Sequence, residues 1–334
     1  MKSTKKRNPS QQAPSDASLT VSEAQAGLTV AAVVREALPG TSWSRAKELC
    51  SEGRVFVEGA AVLDPARRMS AGERVELRLR GSGRREQTLT DLVVHLDAEV
   101  AVVRKPAGIL TVPFERNDRD TLLALARVAV RRIEAGRNKE ANPTLRTVQR
   151  LDKETSGLVV FARSIAAQRN LQQQLGAHTV TRRYLAIAHG AVTDAVHESQ
   201  LVPDRGDGLR GSWGVFRPAR GPAAPPEARE AITRVQVMER LPGATLVVCE
   251  LETGRQHQIR IHLAESGHPL VGETVYMRDW RGPLLPAPRP MLHATALGFV
   301  HPRTGRQVRF EEPAPADFTA VLKRLRAEKK LPRR

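Results

Sequence analysis

One carboxylate among cations is the first candidate for chemistry in this sequence. In the stretch QRLDKETSGLVVFARS, residues 149–164, Asp152 lies between Arg150 and Lys153 and shortly before an apolar run. A carboxylate beside a cation stays ionised at neutral pH, so it cannot serve there as a general acid. The residues alone leave three roles open for Asp152: a nucleophile, a general base or a member of a structural ion pair.

A second polar cluster occupies residues 252–273, with the sequence ETGRQHQIRIHLAESGHPLVGE. Thr253 and Gln256, three positions apart, have the pattern of a capping box. Gly267 is a stop signal at the other end. We therefore predict a helix from about residue 254 to residue 266.

That helix would place several polar side chains together. His257 and Arg260 would share a neighbouring face. Arg255 would lie in the first turn, where the helix dipole disfavours a cation and an external anion would compensate. His257 and His262 would point away from each other, which disfavours a zinc site. The sequence also lacks the motifs of phosphate-loop NTPases, dinucleotide-binding folds and α/β-hydrolases.

The charge balance of the chain indicates a polyanionic partner. Its 53 Lys and Arg residues exceed its 36 Asp and Glu residues and give a formal net charge of +17. Such a surplus attracts nucleic acid in a salt-dependent way. No apolar run approaches the ~18–20 residues that span a bilayer, and no apolar segment of a secretory signal follows the N-terminus. Since Cys50 and Cys249 are predicted to be buried, reduced thiols, we expect a cytoplasmic protein.

Composition and patterning predict two folded domains between tails. We expect a disordered basic tail over residues 1–25, a small helix–helix–hairpin domain over 26–80 and a Gly/Arg-rich linker over 81–88. A larger domain should follow over 89–320, and a basic tail over 321–334. Ser42 and Ser164 are predicted to be the N-caps of one helix in each domain. Strands of the larger domain are often joined by turns, which favours an α+β fold on a mainly antiparallel mixed sheet.

The small domain has an RNA-binding pattern. The stretch SRAKELCSEGRVFVEGAAV resembles the S4 RNA-binding domain. The resemblance implies that the second helix and the turn after it bind RNA, with Arg45, Lys47 and Arg54 as contacts. An ordinary α/β unit with a solvated basic helix is the alternative. In the larger domain, residues 203–229 are rich in Gly, Pro and Arg and are predicted to form a long loop.

The larger domain carries ordered motifs that resemble those of the RluA-type RNA pseudouridine synthases. They are VVRKPAGILTVP, QRLDKETSGLVVFARS, TRRYLAIAHG, LETGRQHQIRIHLAESGHPLVGETVY and MLHATALGF. The resemblance implies a pseudouridine synthase fold and the isomerisation of uridine to pseudouridine in RNA. It implies neither a cofactor nor a metal, because the reaction needs no redox step and no group carrier.

The same resemblance implies roles for individual residues. Asp152 would be the catalytic aspartate, and Arg260 would pair with it and keep it charged. Tyr184 would stack on the flipped base near the proton removed from C5, and Leu292 would pack against that base. Arg150 would fill the gap left by the extruded nucleotide. The other expected substrate contacts are Thr155, Arg255 and His257.

Two positions depart from the family pattern. Gln149 replaces the usual His before Arg-Leu-Asp, and Glu273 replaces an Asp. Gln149 leaves open an inactive RNA-binding or RNA-folding factor as an alternative. A glycosidase using Glu154 as its second acid is disfavoured by the excess of cations. We expect a monomer that acts on large-subunit ribosomal RNA, with tRNA as the other candidate substrate.

Overall fold

The chain folds into two compact units in a computed structural model. Residues 1–91 and 113–142 form the first unit, and residues 92–112 and 143–334 form the second. The predicted larger domain, 89–320, is therefore wrong in one respect, because the segment 113–142 belongs to the first unit. The predicted linker 81–88 lies outside the described residues. The structure describes residues 17–77, 89–115, 118, 120–135, 143–216 and 224–328.

The first unit combines helices with a small antiparallel sheet. The hydroxyl of Ser42 accepts a hydrogen bond from the backbone N–H of Arg45, so the second helix begins at the predicted cap. The described residues form a four-stranded sheet in the order β1-β4-β2-β3. The elements are β1 Ala17–Thr20, α1 Val30–Ala37, α2 Trp43–Ser51, β2 Val55–Val57, β3 Ala60–Ala61 and β4 Arg74–Leu77.

The predicted disordered tail over residues 1–25 is wrong for its last residues. Strand β1 pairs with β4, and Leu19 lies opposite Val75. Val21 is buried in the core of the unit. A strand this short does not stand out against a polar composition, and its partner lies far along the chain. Residues 1–16 lie outside the described part of the chain.

Helix α3, Leu122–Glu134, also belongs to the first unit. The hydroxyl of Thr121 caps its first turn. Just before it, the carboxylate of Asp120 accepts hydrogen bonds from the backbone N–H groups of Leu63 and Asp64, the latter at 2.7 Å. Burial raises the pKa of Asp120. This carboxylate therefore fastens the start of α3 to the small sheet domain.

The second unit is built on an 11-stranded mixed sheet, counted over the described residues. The strand order is β11-β10-β12-β13-β9-β14-β8-β6-β5, with β15 on β14 and β7 on β8. Strands β8 and β14 are parallel, and the other pairs are antiparallel. The predicted α+β fold on a mainly antiparallel mixed sheet is confirmed. The strands are β5 Val93–Leu96, β6 Val100–Lys105, β7 Arg146–Thr147, β8 Ser156–Ala162, β9 Thr181–His189, β10 Ala195–Val202, β11 Gly211–Ser212, β12 Arg229–Leu241, β13 Ala244–Leu251, β14 Leu292–Val300 and β15 Gln307–Glu311.

In the described part of the second unit, three helices pack on or beside this sheet, namely α4 Ile165–Gly176, α5 Gln258–Glu265 and α6 Ala316–Glu328. Helix α4 begins at Ser164, as predicted. Helix α6 corrects the predicted tail over 321–334, because Phe318 and Leu325 on it are fully buried. Residues 329–334 lie outside the described chain. No described helix is long and apolar enough to cross a membrane.

Helix α5 is shorter than the predicted helix over 254–266. It begins at Gln258, because His257 has a left-handed backbone with φ of 60° and interrupts the helix on its N-terminal side. The side chain of Gln258, and not that of Gln256, accepts the hydrogen bond from the backbone N–H of Arg255. Arg255 therefore lies before the helix, so the predicted unfavourable position in its first turn is wrong.

Gly157 permits the close approach of the parallel strands β8 and β14. Its φ is +120°, and a Cβ atom there would lie 2.2 Å from the backbone oxygen of Ala294. Any larger residue would force the two strands apart. Since β8 follows the Asp152 segment and β14 starts at Leu292, this contact sets the spacing of two site elements.

The predicted long loop over residues 203–229 contains a short strand, β11, that pairs with β10. The side chain of Arg205 holds the loop through ion pairs with Asp207 and Glu265, at 3.1 and 3.6 Å. Strand β12 already starts at Arg229. Residues 217–223 of the predicted loop lie outside the described chain.

Both cysteines are buried and free, as predicted. Cys50 lies in α2 of the first unit, and Cys249 lies in β13 of the second. Burial raises the pKa of each thiol to about 12. Neither thiol is therefore ionised at neutral pH.

Candidate active site

The second unit has a cavity of about 520 Å³ on the side of the sheet where α5 begins. It collects residues from five separate stretches of sequence, which only the fold brings together. Gln149, which departs from the family pattern, also lines it. Six of the residues predicted as catalytic or substrate-binding line this cavity: Arg150, Asp152, Thr155, Tyr184, Arg255 and Leu292.

The segment that carries Asp152 is held by the segment after β6. The hydroxyl of Thr111 donates to the backbone oxygen of Leu151 at 2.9 Å and accepts from its N–H at 3.0 Å. The N–H of Gly108 donates to the backbone oxygen of Lys153 at 2.9 Å. These bonds fix the backbone on both sides of Asp152, which aims its side chain into the cavity.

Lys105 supports the same segment from inside the protein. Its ammonium group donates to the backbone oxygens of Lys153 and Thr155 at 2.7 and 2.8 Å. The side chain is 1 % exposed, which makes it one of the largest fully buried side chains. Burial lowers the pKa of Lys105 to about 7, although the charges of Asp152 and Glu154 act in the opposite direction.

Arg289 ties this segment to strand β14, and no motif or spacing in the sequence points to this residue. Its Nη1 donates to the backbone oxygens of Glu154 and Leu292 at 3.0 and 3.1 Å. Its Nη2 donates to the hydroxyl of Ser156 at 3.1 Å, and an ion pair with Asp317 neutralises its charge. A single buried arginine in a Pro-rich stretch thus connects two sides of the cavity.

Tyr184 and Leu292 form an apolar wall of the cavity. Tyr184 on β9 lies opposite Ala294 on β14. Leu292 is two positions from Ala294 and therefore on the same face, diagonal to Tyr184. Burial raises the pKa of Tyr184 to about 12. Its hydroxyl is therefore protonated at neutral pH.

The predicted ion pair between Arg260 and Asp152 is wrong as a direct contact. Arg260 instead binds Glu273, with Nε to Oε2 at 2.8 Å and Nη2 to Oε1 at 2.7 Å. Both side chains are buried, and Arg260 does not line the cavity. Arg260 still interacts electrostatically with Asp152. The positive charge of Arg260 therefore acts on Asp152 through space, from outside the cavity lining.

Glu273 belongs to a buried cluster with Arg260, Tyr276 and His257, next to the cavity that Asp152 lines. Besides binding Arg260, its Oε1 accepts hydrogen bonds from the N–H groups of Thr274 and Val275 at 3.0 and 2.9 Å. The hydroxyl of Tyr276 lies 2.7 Å from Nδ1 of His257. His257, predicted to contact substrate, belongs to this cluster and does not line the cavity. Burial lowers its pKa, and the charge of Asp152 opposes that shift.

Gln258 shapes the cavity lip and makes the capping contacts that the sequence pattern predicted for Gln256. Its Oε1 accepts from the hydroxyl of Thr253 at 2.8 Å and from the N–H of Arg255 at 2.9 Å. Its Nε2 donates to the hydroxyl of Thr233 at 2.9 Å. The buried carboxamide therefore holds the turn that carries Arg255 at the cavity.

The three RNA contacts predicted in the first unit have different environments. Arg45 forms ion pairs with Glu48 and Glu52, both at 3.1 Å, and Arg54 lies 3.5 Å from Glu52. Lys47 lines a separate recess beside the exposed ring of Trp43. Of the three, Lys47 is the cation whose ammonium group pairs with none of the described carboxylates.

Comparison with known proteins gives a consistent result. Residues 99–265 match the family model described as RNA pseudouridylate synthase. The chain is 36 % identical over 328 residues to ribosomal large subunit pseudouridine synthase D of Neisseria meningitidis, covering 93 % of this chain and 82 % of that protein. It is 33 % identical over 295 residues to an uncharacterized RNA pseudouridine synthase of Bacillus subtilis, covering 85 % and 90 %.

Solved structures agree with the fold. The human protein RNA Pseudouridylate Synthase Domain Containing 4 aligns with a TM-score of 0.56 at 22 % identity. The alignment covers 73 % of this chain and 96 % of the human chain. At this identity the likeness concerns the fold.

Proposed function

We propose that this chain, which belongs to the RNA pseudouridylate synthase family, isomerises uridine to pseudouridine in large-subunit ribosomal RNA. Pseudouridine formation is the activity of the family. The ribosomal substrate is inferred from the names of relatives such as the enzyme of Neisseria meningitidis, which are called ribosomal large subunit pseudouridine synthase D. The net charge of +17 is compatible with a large polyanionic substrate.

The observation that carries the proposal is the joint placement of Asp152, Tyr184 and Leu292 in one cavity. A uridine inside a helix is inaccessible, so it must leave the stack to reach a side chain. An aromatic ring and an apolar side chain provide surfaces for a flipped base, and a carboxylate lies next to them. Arg150 is exposed at the same cavity, where it is placed to meet the RNA that the base has left.

The reaction rearranges bonds within one nucleotide. The bond between N1 and C1′ breaks, the uracil turns, and C5 bonds to C1′. The proton on C5 leaves and N1 gains a proton, so the product is an isomer and no co-reactant is consumed. In this proposal the carboxylate of Asp152 is the nucleophile: it bonds to C1′ as N1 leaves with the electron pair of the glycosidic bond, and C5 then displaces the carboxylate from C1′. The Tyr184 side chain stacks on the base beside C5.

The buried cluster around Glu273 supplies a fixed positive charge, that of Arg260, which acts on Asp152. The cation of Arg260 is fixed by Glu273, so it stabilises a negative charge on Asp152 without occupying the space that the substrate needs. Lys105, Thr111 and Arg289 hold the backbone around the carboxylate. A site that is organised before the substrate binds has little reorganisation to make during the reaction.

The first unit is proposed to add affinity for structured RNA as an S4-like domain. Lys47, whose side chain is exposed, and the exposed ring of Trp43 line one recess of this unit. Because Arg45 and Arg54 lie beside carboxylates, we expect Lys47 to contribute more to RNA binding than either arginine.

The proposed function is tested with purified full-length protein and an unmodified transcript of large-subunit ribosomal RNA. Pseudouridines are mapped before and after incubation, with a tRNA pool as a parallel substrate. We expect new pseudouridine in the ribosomal transcript. If every uridine in both RNAs stays unchanged while the protein still binds them, the chain is an RNA-binding factor and the proposal fails. Modification of tRNA alone would overturn the ribosomal substrate.

A further inference from the structure

The candidate active-site cavity extends beyond the residues that would hold the target uridine. Tyr184, Asp152 and Leu292 line it, and so do Gln149, His178 and Arg182, whose portion of the lining we call its second part. A volume of about 520 Å³ lies within the ~300–1,000 Å³ range of pockets that enclose drug-sized ligands. A single pyrimidine base is much smaller than such ligands, so the cavity has room for a second group.

The direction of the second part follows from strand β9. Arg182 and Tyr184 are alternate residues of that strand and point to the same face. Successive residues of a strand are about 3.4 Å apart, so the Cα atoms of Arg182 and Tyr184, two positions apart, are separated by about 7 Å. His178 lies three residues before the strand and, like Arg182, contacts the backbone oxygen of Glu252. The second part therefore leads away from the uridine position by roughly the distance to a neighbouring nucleotide.

Gln149 supplies the group that can distinguish one base from another. Its side chain is partly buried and lines the cavity, and its carboxamide has no hydrogen-bond partner among the described residues. A carboxamide donates and accepts at the same time, which suits the edge of a nucleobase. An unpaired amide at this position is therefore available to a ligand.

His178 and Arg182 line the second part of the cavity together with Gln149. His178 has a left-handed backbone with φ of 56°, and its Nδ1 contacts the backbone oxygen of Glu252. Arg182 donates to that same oxygen at 2.6 Å, and its buried Nε has no partner in the described chain. Strained backbone and unmet polar groups often mark ligand sites. The His178 ring and the Arg182 plane are surfaces on which an unstacked base can lie.

We propose that Gln149, His178 and Arg182 form a subsite for the nucleotide next to the target uridine, and that Gln149 reads its base. The inference rests on the proposed function, because the neighbouring position is defined by the uridine at Asp152. A flipped-out uridine draws its neighbour out of regular stacking, so an adjacent single-stranded base is the occupant that the cavity chemistry favours. Gln149 thereby becomes a specificity residue of the reaction.

The test uses the modified position found in the ribosomal transcript. Short RNA substrates carry each of the four bases, or an abasic residue, directly before or after that uridine. For the wild-type protein we expect kcat/KM to depend on the base at one of these positions. Gln149→Ala should reduce that preference on the order of tenfold, as for the loss of a specific base contact. His178→Ala should raise KM for all bases.

Gln172→Ala is the matched control, because Gln172 is an exposed glutamine of α4 outside the cavity. It should keep the wild-type preference. If uridine is isomerised but kcat/KM is the same for all flanking bases and for the abasic substrate, the subsite is refuted and the proposed function stands. A preference that Gln149→Ala leaves unchanged refutes the role of Gln149. Absence of any pseudouridine refutes the proposed function itself.

Discussion

Arg260 forms a bidentate ion pair with Glu273, and this buried pair lies outside the cavity lining while the Arg260 charge interacts with Asp152. Burial alone would lower the pKa of Arg260, but the hydrogen bonds and charge of Glu273, together with the charge of Asp152, raise it. The arginine is therefore a fixed cation. Glu273 fixes the position of Arg260, and the positive charge of Arg260 acts on the carboxylate of Asp152.

Glu273→Gln should damage both stability and catalysis. The substitution leaves the Arg260 cation buried without its counter-charge, which costs about 3–5 kcal/mol in comparable pairs. We expect a lower midpoint of urea unfolding and a reduced kcat. Urea titration and single-turnover pseudouridine assays on the same preparation measure the two effects.

Glu273→Asp is the conservative comparison. It keeps the charge but shortens the side chain by one methylene, so it should retain part of both stability and kcat. If Glu273→Gln unfolds at the wild-type urea concentration and keeps its kcat, the pair has no role in supporting the site.

The Arg260–Glu273 pair shows what could be predicted from the sequence and what could not. The family resemblance predicted that Arg260 acts on Asp152, and six predicted residues do line one cavity. The partner of Arg260 was misassigned, because two carboxylates lie within its range and only the backbone path decides between them. The left-handed turn at His257 delays the start of α5 and was not visible in the spacing of polar residues.

Gly157→Ala should destabilise the second unit. A methyl group at this position would overlap the backbone of Ala294, and the positive φ is itself strained for alanine. We expect a lower unfolding midpoint and loss of activity. Gly176→Ala is the control, because Gly176 lies in helix α4 with open space around it. Because Gly176 is the last residue of that helix, the variant should unfold close to the wild-type midpoint. Equal behaviour of the two variants would contradict the packing argument.

Lys105→Met should change how stability depends on pH. The folded protein holds the pKa of Lys105 at about 7, whereas an unfolded lysine has a pKa near ~10.4. Between these values the unfolded chain binds more protons, so this group adds to stability as pH rises. Relative to Lys105→Met, the wild type should therefore gain stability between pH 7 and pH 9.

Urea unfolding at the two pH values measures that difference. Lys323→Met, at an exposed lysine of α6, should run parallel to the wild type. A Lys105→Met protein that keeps the wild-type pH dependence would show that Lys105 does not titrate in this range.

Tyr184→Phe should separate stacking from proton handling. The ring that faces the base is kept, and only the hydroxyl is removed. Because burial raises the pKa of Tyr184 to about 12, the group is a neutral phenol at neutral pH. If it assists removal of the C5 proton, kcat should fall by roughly 10²–10⁴-fold with little change in KM. A Phe variant with wild-type kcat would limit Tyr184 to stacking.

The fold was predictable where local signals agree with tertiary packing. Ser42 and Ser164 start helices as predicted, since a side-chain cap is a local property. The assignment of α3 to the first unit was not predictable, because it depends on the contact of Asp120 with a distant turn. Arg289 was not predictable for the same reason: the partners that join it to the Asp152 segment, Glu154 and Ser156, lie more than a hundred residues away in the sequence.

The central claim, that Asp152 is the nucleophile, is tested most directly by Asp152→Asn. Asn has nearly the same shape but no charge, so folding and RNA binding should be retained. Pseudouridine in the ribosomal transcript is quantified after incubation with each protein. We predict product with the wild type and none with Asp152→Asn, which should still bind the RNA as tightly. An Asn variant that forms pseudouridine at the wild-type rate would contradict the account.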